Sequence, residues 1–159
     1  MVYALYKNGY TTLYARINDY GWLYFFISLM MMIILHDTYF YWTHRMLHKK
    51  WMFKKFHKVH HQSVNPTPLS AYAFHPIEVF VESLVVFPFI TIFPVHIFAF
   101  TFFTFIVLFI NVVGHLGYEF VPFLKRKHPF VQLFTSSTHH NLHHQKTHKK
   151  FWILLYFLG

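Results

Sequence analysis

The chain has 159 residues, enough for one domain; 55% are hydrophobic, 23% aromatic and only 12% formally charged, a membrane composition rather than a water-soluble one. Lys and Arg outnumber Asp and Glu by 14 to 5, but they gather in two polar stretches separated by apolar runs. Arg45, Lys49, Lys50, Lys54, Lys55 and Lys58 form one and Lys125, Arg126, Lys127, Lys146, Lys149 and Lys150 the other, a distribution that follows the positive-inside rule and argues against nucleic acid as the partner.

Cysteine is absent, which excludes disulfides, thiolate-ligated zinc and cysteine nucleophiles. Any metal site must use nitrogen and oxygen. The N-terminal stretch lacks the basic start, apolar middle and small-residue cleavage site of a signal peptide. Residues 20–35, YGWLYFFISLMMMIIL, carry no formal charge, and with the YFYW that follows His36 and Asp37 they predict a membrane-crossing helix over about residues 20–43. Directly after it, THRMLH sets His44 and His48 four residues apart, and FHKVHHQ then sets His57, His60 and His61 at i, i+3 and i+4.

From Ser83 to Gly114 no charged residue occurs, and Pro88 and Pro94 interrupt the run. With FPVH read as a turn, residues 77–114 predict a hairpin of two helices. Its turn has no Lys or Arg, while both outer ends lead into the basic, histidine-rich stretches, so those stretches are expected on one membrane face. HHNLHHQ then repeats the earlier offsets at His140, His143 and His144.

Imidazoles at such offsets share a helix face. Neutral imidazole ligates iron and zinc, and these eight exceed what one ion uses, so two metal ions are the natural count. His96 and His128 stand alone and are read as structural. Most of the 22 Phe and 11 Tyr are read as lipid-facing, packing or interfacial residues. The expected fold is all-α: a helical integral membrane protein whose histidine-rich helical cap on the cytosolic side houses a di-metal site, in a single domain over residues 1–159.

HDTYFYWTHRMLH, FHKVHHQSVNPTPLSAYAFHPIE, NVVGHLGYEF and THHNLHHQ, in this order, resemble the motifs of the fatty acid hydroxylase superfamily, specifically its sterol desaturase branch, over roughly residues 20–148. The resemblance implies a nonheme di-iron centre at the cytosolic membrane face, with dioxygen used to hydroxylate or desaturate a lipid of sterol or fatty acyl type. Zinc is a possible substitute for the two irons. Carried over residue by residue, it implies ligation by His44, His48, His57, His60, His61, His140, His143 and His144, with His115 of the GHLGYE element as a further ligand. Asp37, Glu78 and Glu119 are expected to accept the other ring N–H of ligating imidazoles. His75, in FHPIE, is read either in that outer role or as structural.

No dinucleotide fingerprint or haem-attachment motif is present in the sequence, so the reading requires a separate electron donor. A ferredoxin, cytochrome or reductase attracted to the basic cytoplasmic face fits it. Two alternatives are a carotenoid hydroxylase with similar boxes and a non-catalytic histidine-rich membrane protein that binds or transports metal. A transporter places its polar ligands at mid-membrane, whereas these clusters fall at span ends and in loops.

Two expectations concern the chain's ends. Residues 1–19 contain Lys7, Asn8, Arg16 and Asp19, too polar to supply the membrane sequence that usually precedes this span in the family, so the chain is expected to be truncated at its N-terminus. After about residue 148 the family's N-F-G and W-D elements are replaced by a divergent apolar ending. AT-rich codons for that ending, read one base later, restore both elements, so residues from about Lys149 onward are expected to be translated out of frame, with Gly159 an artificial end.

Overall fold

The computed structural model describes residues 2–118 and 137–145. The elements are α1 (Val2–Lys7), β1 (Leu13–Tyr14), α2 (Gly21–Leu47), α3 (Lys50–Met52), α4 (Pro76–Ser83), α5 (Val86–Thr91), β2 (Val95–His96), α6 (Ile97–Gly114) and α7 (Ser137–Gln145). A π-helical turn at Phe53–His57 and 3-10 turns at Ile17–Asp19, His60–Gln62 and Pro68–Tyr72 lie between them.

The 27 residues of α2 make a rod of about 40 Å at 1.5 Å per residue. That exceeds a hydrocarbon core of about 30 Å, so roughly its last two turns extend past the apolar slab. The helix runs one turn beyond the expected end and takes His44 into its final turns. The 18 residues of α6, about 27 Å by the same rise, fall about 3 Å short of that thickness, at the lower end of the roughly 17–25 residues a span uses.

Both helices are long and apolar enough to span a membrane, yet only 22% and 11% of their apolar windows are buried in the protein. Leu23, Phe26, Met30, Phe98, Phe102 and Phe105 are exposed. A core helix of a soluble protein would bury such side chains, and apolar surface of this extent needs lipid around it.

The expected first limb of the hairpin is broken into α4 and α5 at Leu84–Val85. Pro88 has no N–H for the Leu84 carbonyl and its ring crowds that position. The Leu84 carbonyl instead accepts the Phe87 N–H at 3.2 Å. The expected turn at 93–96 contains a further feature, because Val95–His96 pairs in parallel with Leu13–Tyr14.

The molecule divides into two compact units, residues 1–36 with 83–107 and residues 37–82 with 108–159. In the first, Met32, Phe89, Ile90, Val95 and Ala99 form the core, and the Thr12 N–H donates to the Ile90 carbonyl at 2.9 Å. His96 is consumed structurally. Its Nε2–H donates to the Ala15 carbonyl at 2.9 Å and its Nδ1 accepts the Phe98 N–H at 3.1 Å.

In the second unit the Tyr39 hydroxyl donates to the Val81 carbonyl at 2.7 Å, which ties α2 to α4. The Asn111 amide donates to the Ala71 carbonyl at 2.9 Å, which ties α6 to the Pro68–Tyr72 turn. This unit holds the C-terminal ends of both long helices and every box histidine.

Candidate metal centre

Five elements bring nine imidazoles together. His44 comes from the last turns of α2 and His48 follows one residue after its end; His57, His60 and His61 come from the π and 3-10 turns. His115 directly follows α6, and His140, His143 and His144 come from α7. Because His44 lies in the last turns of one long helix and His115 follows the other, the C-terminal ends of α2 and α6 both lead into this cluster of histidines.

The nine side chains separate into two groups. His44, His48, His57, His61 and His143 form one, and His60, His115, His140 and His144 the other; in each group one nitrogen per ring lies within 4.8 Å of all the others. Each HxxHH box therefore splits. His57 and His61, at i and i+4, join the first group while His60 joins the second; His140 and His144 join the second while His143 joins the first. The groups are contiguous, with the His61 ring stacked on His144 at 4.6 Å between centroids.

The spacing within each group is that of ligands around a cation. His48, His57 and His61 form a triangle of Nε2 atoms with sides of 3.0, 3.1 and 3.2 Å. Each Nε2 either carries a proton or does not, so a triangle always contains one pair with two protons or two lone pairs facing each other. Hydrogen bonding cannot satisfy it, whereas three lone pairs turned toward one cation can. Metal–imidazole bonds of about 2.1 Å would set neighbouring nitrogens about 3.0 Å apart at right angles and about 3.4 Å apart in a tetrahedron. The observed pairs fall in that interval: His44–His143 at 3.0 Å, His115–His140 at 3.0 Å, His140–His144 at 3.1 Å and His60–His115 at 3.4 Å. The nine residues thus fit two metal ions.

Burial, reinforced by neighbouring imidazoles, lowers the pKa of His57 and His61 to about 2 and that of His144 to about 3. Burial alone brings His143 to about 4. His60 and His140 are held well below the ordinary histidine value by the same causes, and burial lowers His115 against an opposing contact from the Asn111 carbonyl. Neutral imidazole is the form that ligates metal.

Outer partners fix two tautomers. The Nδ1–H of His57 donates to an oxygen of the fully buried Glu78 carboxyl group, and the Nδ1–H of His115 donates to the Asn111 carbonyl at 2.7 Å. Both leave the Nε2 lone pair inside its group. Burial, with Glu82 nearby, raises the Glu78 pKa to about 8, opposed by the His75 backbone amide.

Asp37 is buried on α2, seven residues before His44. His75 joins neither group; its Nδ1 accepts the Ile77 N–H at 3.2 Å and its ring lies 5.3 Å from Phe56. Glu119 and His128 lie outside the described residues, as does everything after Gln145.

Two residues were not anticipated from sequence. Asn111 supplies the carbonyl that orients His115, four residues ahead of it in NVVGH. Glu82, one turn after Glu78, has an oxygen that is buried without a hydrogen-bond partner among the described residues, and burial raises its pKa to about 8. The i, i+4 spacing of both pairs was visible.

The sequence model of the fatty acid hydroxylase family matches residues 29–158. The lathosterol oxidase of Mus musculus is 34% identical over 147 residues, covering 90% of this chain and 47% of the relative. A Delta(7)-sterol 5(6)-desaturase of Gibberella zeae is 32% identical over 136 residues, covering 86% and 41%, and one of Schizosaccharomyces pombe is 34% identical over 138 residues, covering 86% and 43%. The chain spans somewhat under half the length of these relatives. No solved structure matches it.

Proposed function

Since the chain belongs to the fatty acid hydroxylase family, in its sterol desaturase branch, we propose that it is a membrane-bound oxidoreductase that uses two iron ions and dioxygen to hydroxylate or desaturate a lipid. A sterol is the favoured substrate, because the relatives are named for acting on sterols. The observation that carries the reading is the division of nine buried imidazoles into contiguous groups of five and four.

Each residue has a role in this reading. The imidazoles of His44, His48, His57, His61 and His143 hold one ion, and those of His60, His115, His140 and His144 the other. Glu78 and Asn111 hold the rings of His57 and His115 with their Nε2 lone pairs inward. Two irons there supply the activation of dioxygen. For hydroxylation the balance is one C–H bond, one dioxygen, two electrons and two protons giving an alcohol and one water. For desaturation two adjacent C–H bonds are lost and two waters form. The electrons come from a separate donor. The boxes face the cytoplasm, on the side favoured by the basic stretches.

The test combines metal content with lipid profiling. Purified protein is expected to hold about two irons per chain, by the ligand count above. A host expressing the intact gene is expected to accumulate an oxidised lipid that is lost with His143→Ala. Metal binding with an unchanged lipid profile would leave a metal-binding membrane protein and overturn the oxygenase reading.

A further inference from the structure

The segment that carries His57 has a second face. Helical backbone runs from Lys50 through the π-helical turn to His57. Trp51, Lys54, Lys55 and Lys58 recur on it at helical spacing, and all four are exposed, Trp51 by 60%. The other side holds the buried His57 and the half-buried Met52, Phe53 and Phe56. Lys50 is also exposed, and the Lys55 ammonium stands 4.9 Å over the Trp51 ring.

Among the described residues these positive charges have no acidic partner. Residues 38–77 contain no Asp or Glu, and among the described residues the pair of opposite charges is Arg16–Asp19, since the buried His57 beside Glu78 is neutral. The segment follows α2 directly. The last turns of that helix carry the exposed Trp42, with the Arg45 guanidinium 5.6 Å over its ring, a pairing of amphipathic ring and cation suited to a membrane–water boundary.

We propose that the face formed by Lys50, Trp51, Lys54, Lys55 and Lys58 rests on the anionic phospholipid headgroups of the leaflet where α2 emerges. Reach and chemistry select this occupant. Lys50 is three residues past Leu47, which allows at most about 11 Å of chain, close to the Debye length of about 8–10 Å at ordinary ionic strength. Lys50 therefore stays near the surface at which α2 emerges, and the helical rise of about 1.5 Å per residue keeps Lys54, Lys55 and Lys58 within about 12 Å of Lys50. An exposed Trp is costly in water and favourable at the headgroup level. The contact fixes the depth of the segment that bears His57, His60 and His61, and it stands on the reading of α2 as a span, independent of which metal binds.

The test uses the cysteine-free sequence. Trp51→Cys carries an environment-sensitive fluorophore in lipid nanodiscs of phosphatidylcholine with or without phosphatidylserine, and acrylamide serves as neutral quencher. Leu69→Cys, at a position 89% exposed, is the labelled control. Phosphatidylserine is expected to shift the Trp51→Cys label to the blue and protect it, with the control unchanged. About 1 M salt, where the Debye length is about 3 Å, is expected to abolish the effect.

Replacing Lys50, Lys54, Lys55 and Lys58 together by Gln is also expected to abolish it, each lysine contributing about a fivefold change in surface partitioning. The same four changed to Arg are expected to preserve it. Bound metal reports that the variants are folded; if the Gln variant loses metal, the salt and Arg arms decide. A label insensitive to phosphatidylserine overturns the proposal, and so does protection that arises only when an acidic soluble redox protein is added.

Discussion

His57 and Glu78, distant in sequence, meet through the imidazole Nδ1–H and a carboxyl oxygen, with neither side chain exposed to solvent. The bond settles which nitrogen of His57 faces His48 and His61. Glu78→Ala removes that restraint and leaves a buried N–H unpaired. The expected outcome is a loss of metal affinity of about 10- to 100-fold, read as metal retained against graded chelator. Glu78→Gln keeps an acceptor oxygen and is expected to fall between the two. Undiminished retention by the Ala variant would remove Glu78 from the site.

The unequal groups make a second test. Removing His48 from the group of five leaves four imidazoles, whereas removing His115 from the group of four leaves three. His115→Ala is therefore expected to lower bound metal from about two ions to about one, with His48→Ala keeping more, on the basis that tightly held sites use about four protein ligands. Elemental analysis of the two purified variants gives the comparison. Equal losses would show that the division into five and four does not describe metal binding.

His75 separates a motif from a ligand. It sits in FHPIE beside Glu78, but its Nδ1 is occupied by the Ile77 N–H at the start of α4. His75→Ala is expected to cost about 1 kcal/mol through the lost cap and to leave metal content unchanged. Thermal unfolding and metal analysis of one preparation test both halves. Loss of an ion without loss of stability would reverse the assignment.

The boxes were legible because spacing at i, i+3 and i+4 specifies a shared face. Their splitting was not. Whether His60 stays beside His57 or turns to His115 depends on the π-helical turn before it and the 3-10 turn that begins at it, and neither is written in residue type. Pro88 announced a break, but the lost hydrogen bond lies four residues earlier, so the break came at Leu84–Val85. The pairing of Leu13–Tyr14 with Val95–His96 joins positions about 80 residues apart, and such short segments carry no periodic signal.

Acidity gives the last prediction, for the metal-free protein. His57 and His61 titrate near 2, His144 near 3 and His143 near 4, against an ordinary value of 6.5, and His60, His115 and His140 are also lowered. Between those values the unfolded chain binds more protons than the folded one, so folding stability falls as pH drops below 6.5. Glu78 and Glu82 act in the opposite sense. Their folded values are raised to about 8 from 4.5, so their contribution strengthens on acidification from about 8 to 4.5. Seven lowered imidazoles outweigh two raised carboxylates, and the histidine window extends well below the carboxylate one. The metal-free protein in detergent is therefore expected to lose helicity and aggregate on acidification from about pH 7 to about pH 4. Bound metal, which requires neutral imidazole, should move the transition to lower pH. Circular dichroism against pH, with and without metal, measures both, and a metal-free chain as stable at about pH 4 as at about pH 7 would contradict burial as the cause of the lowered values.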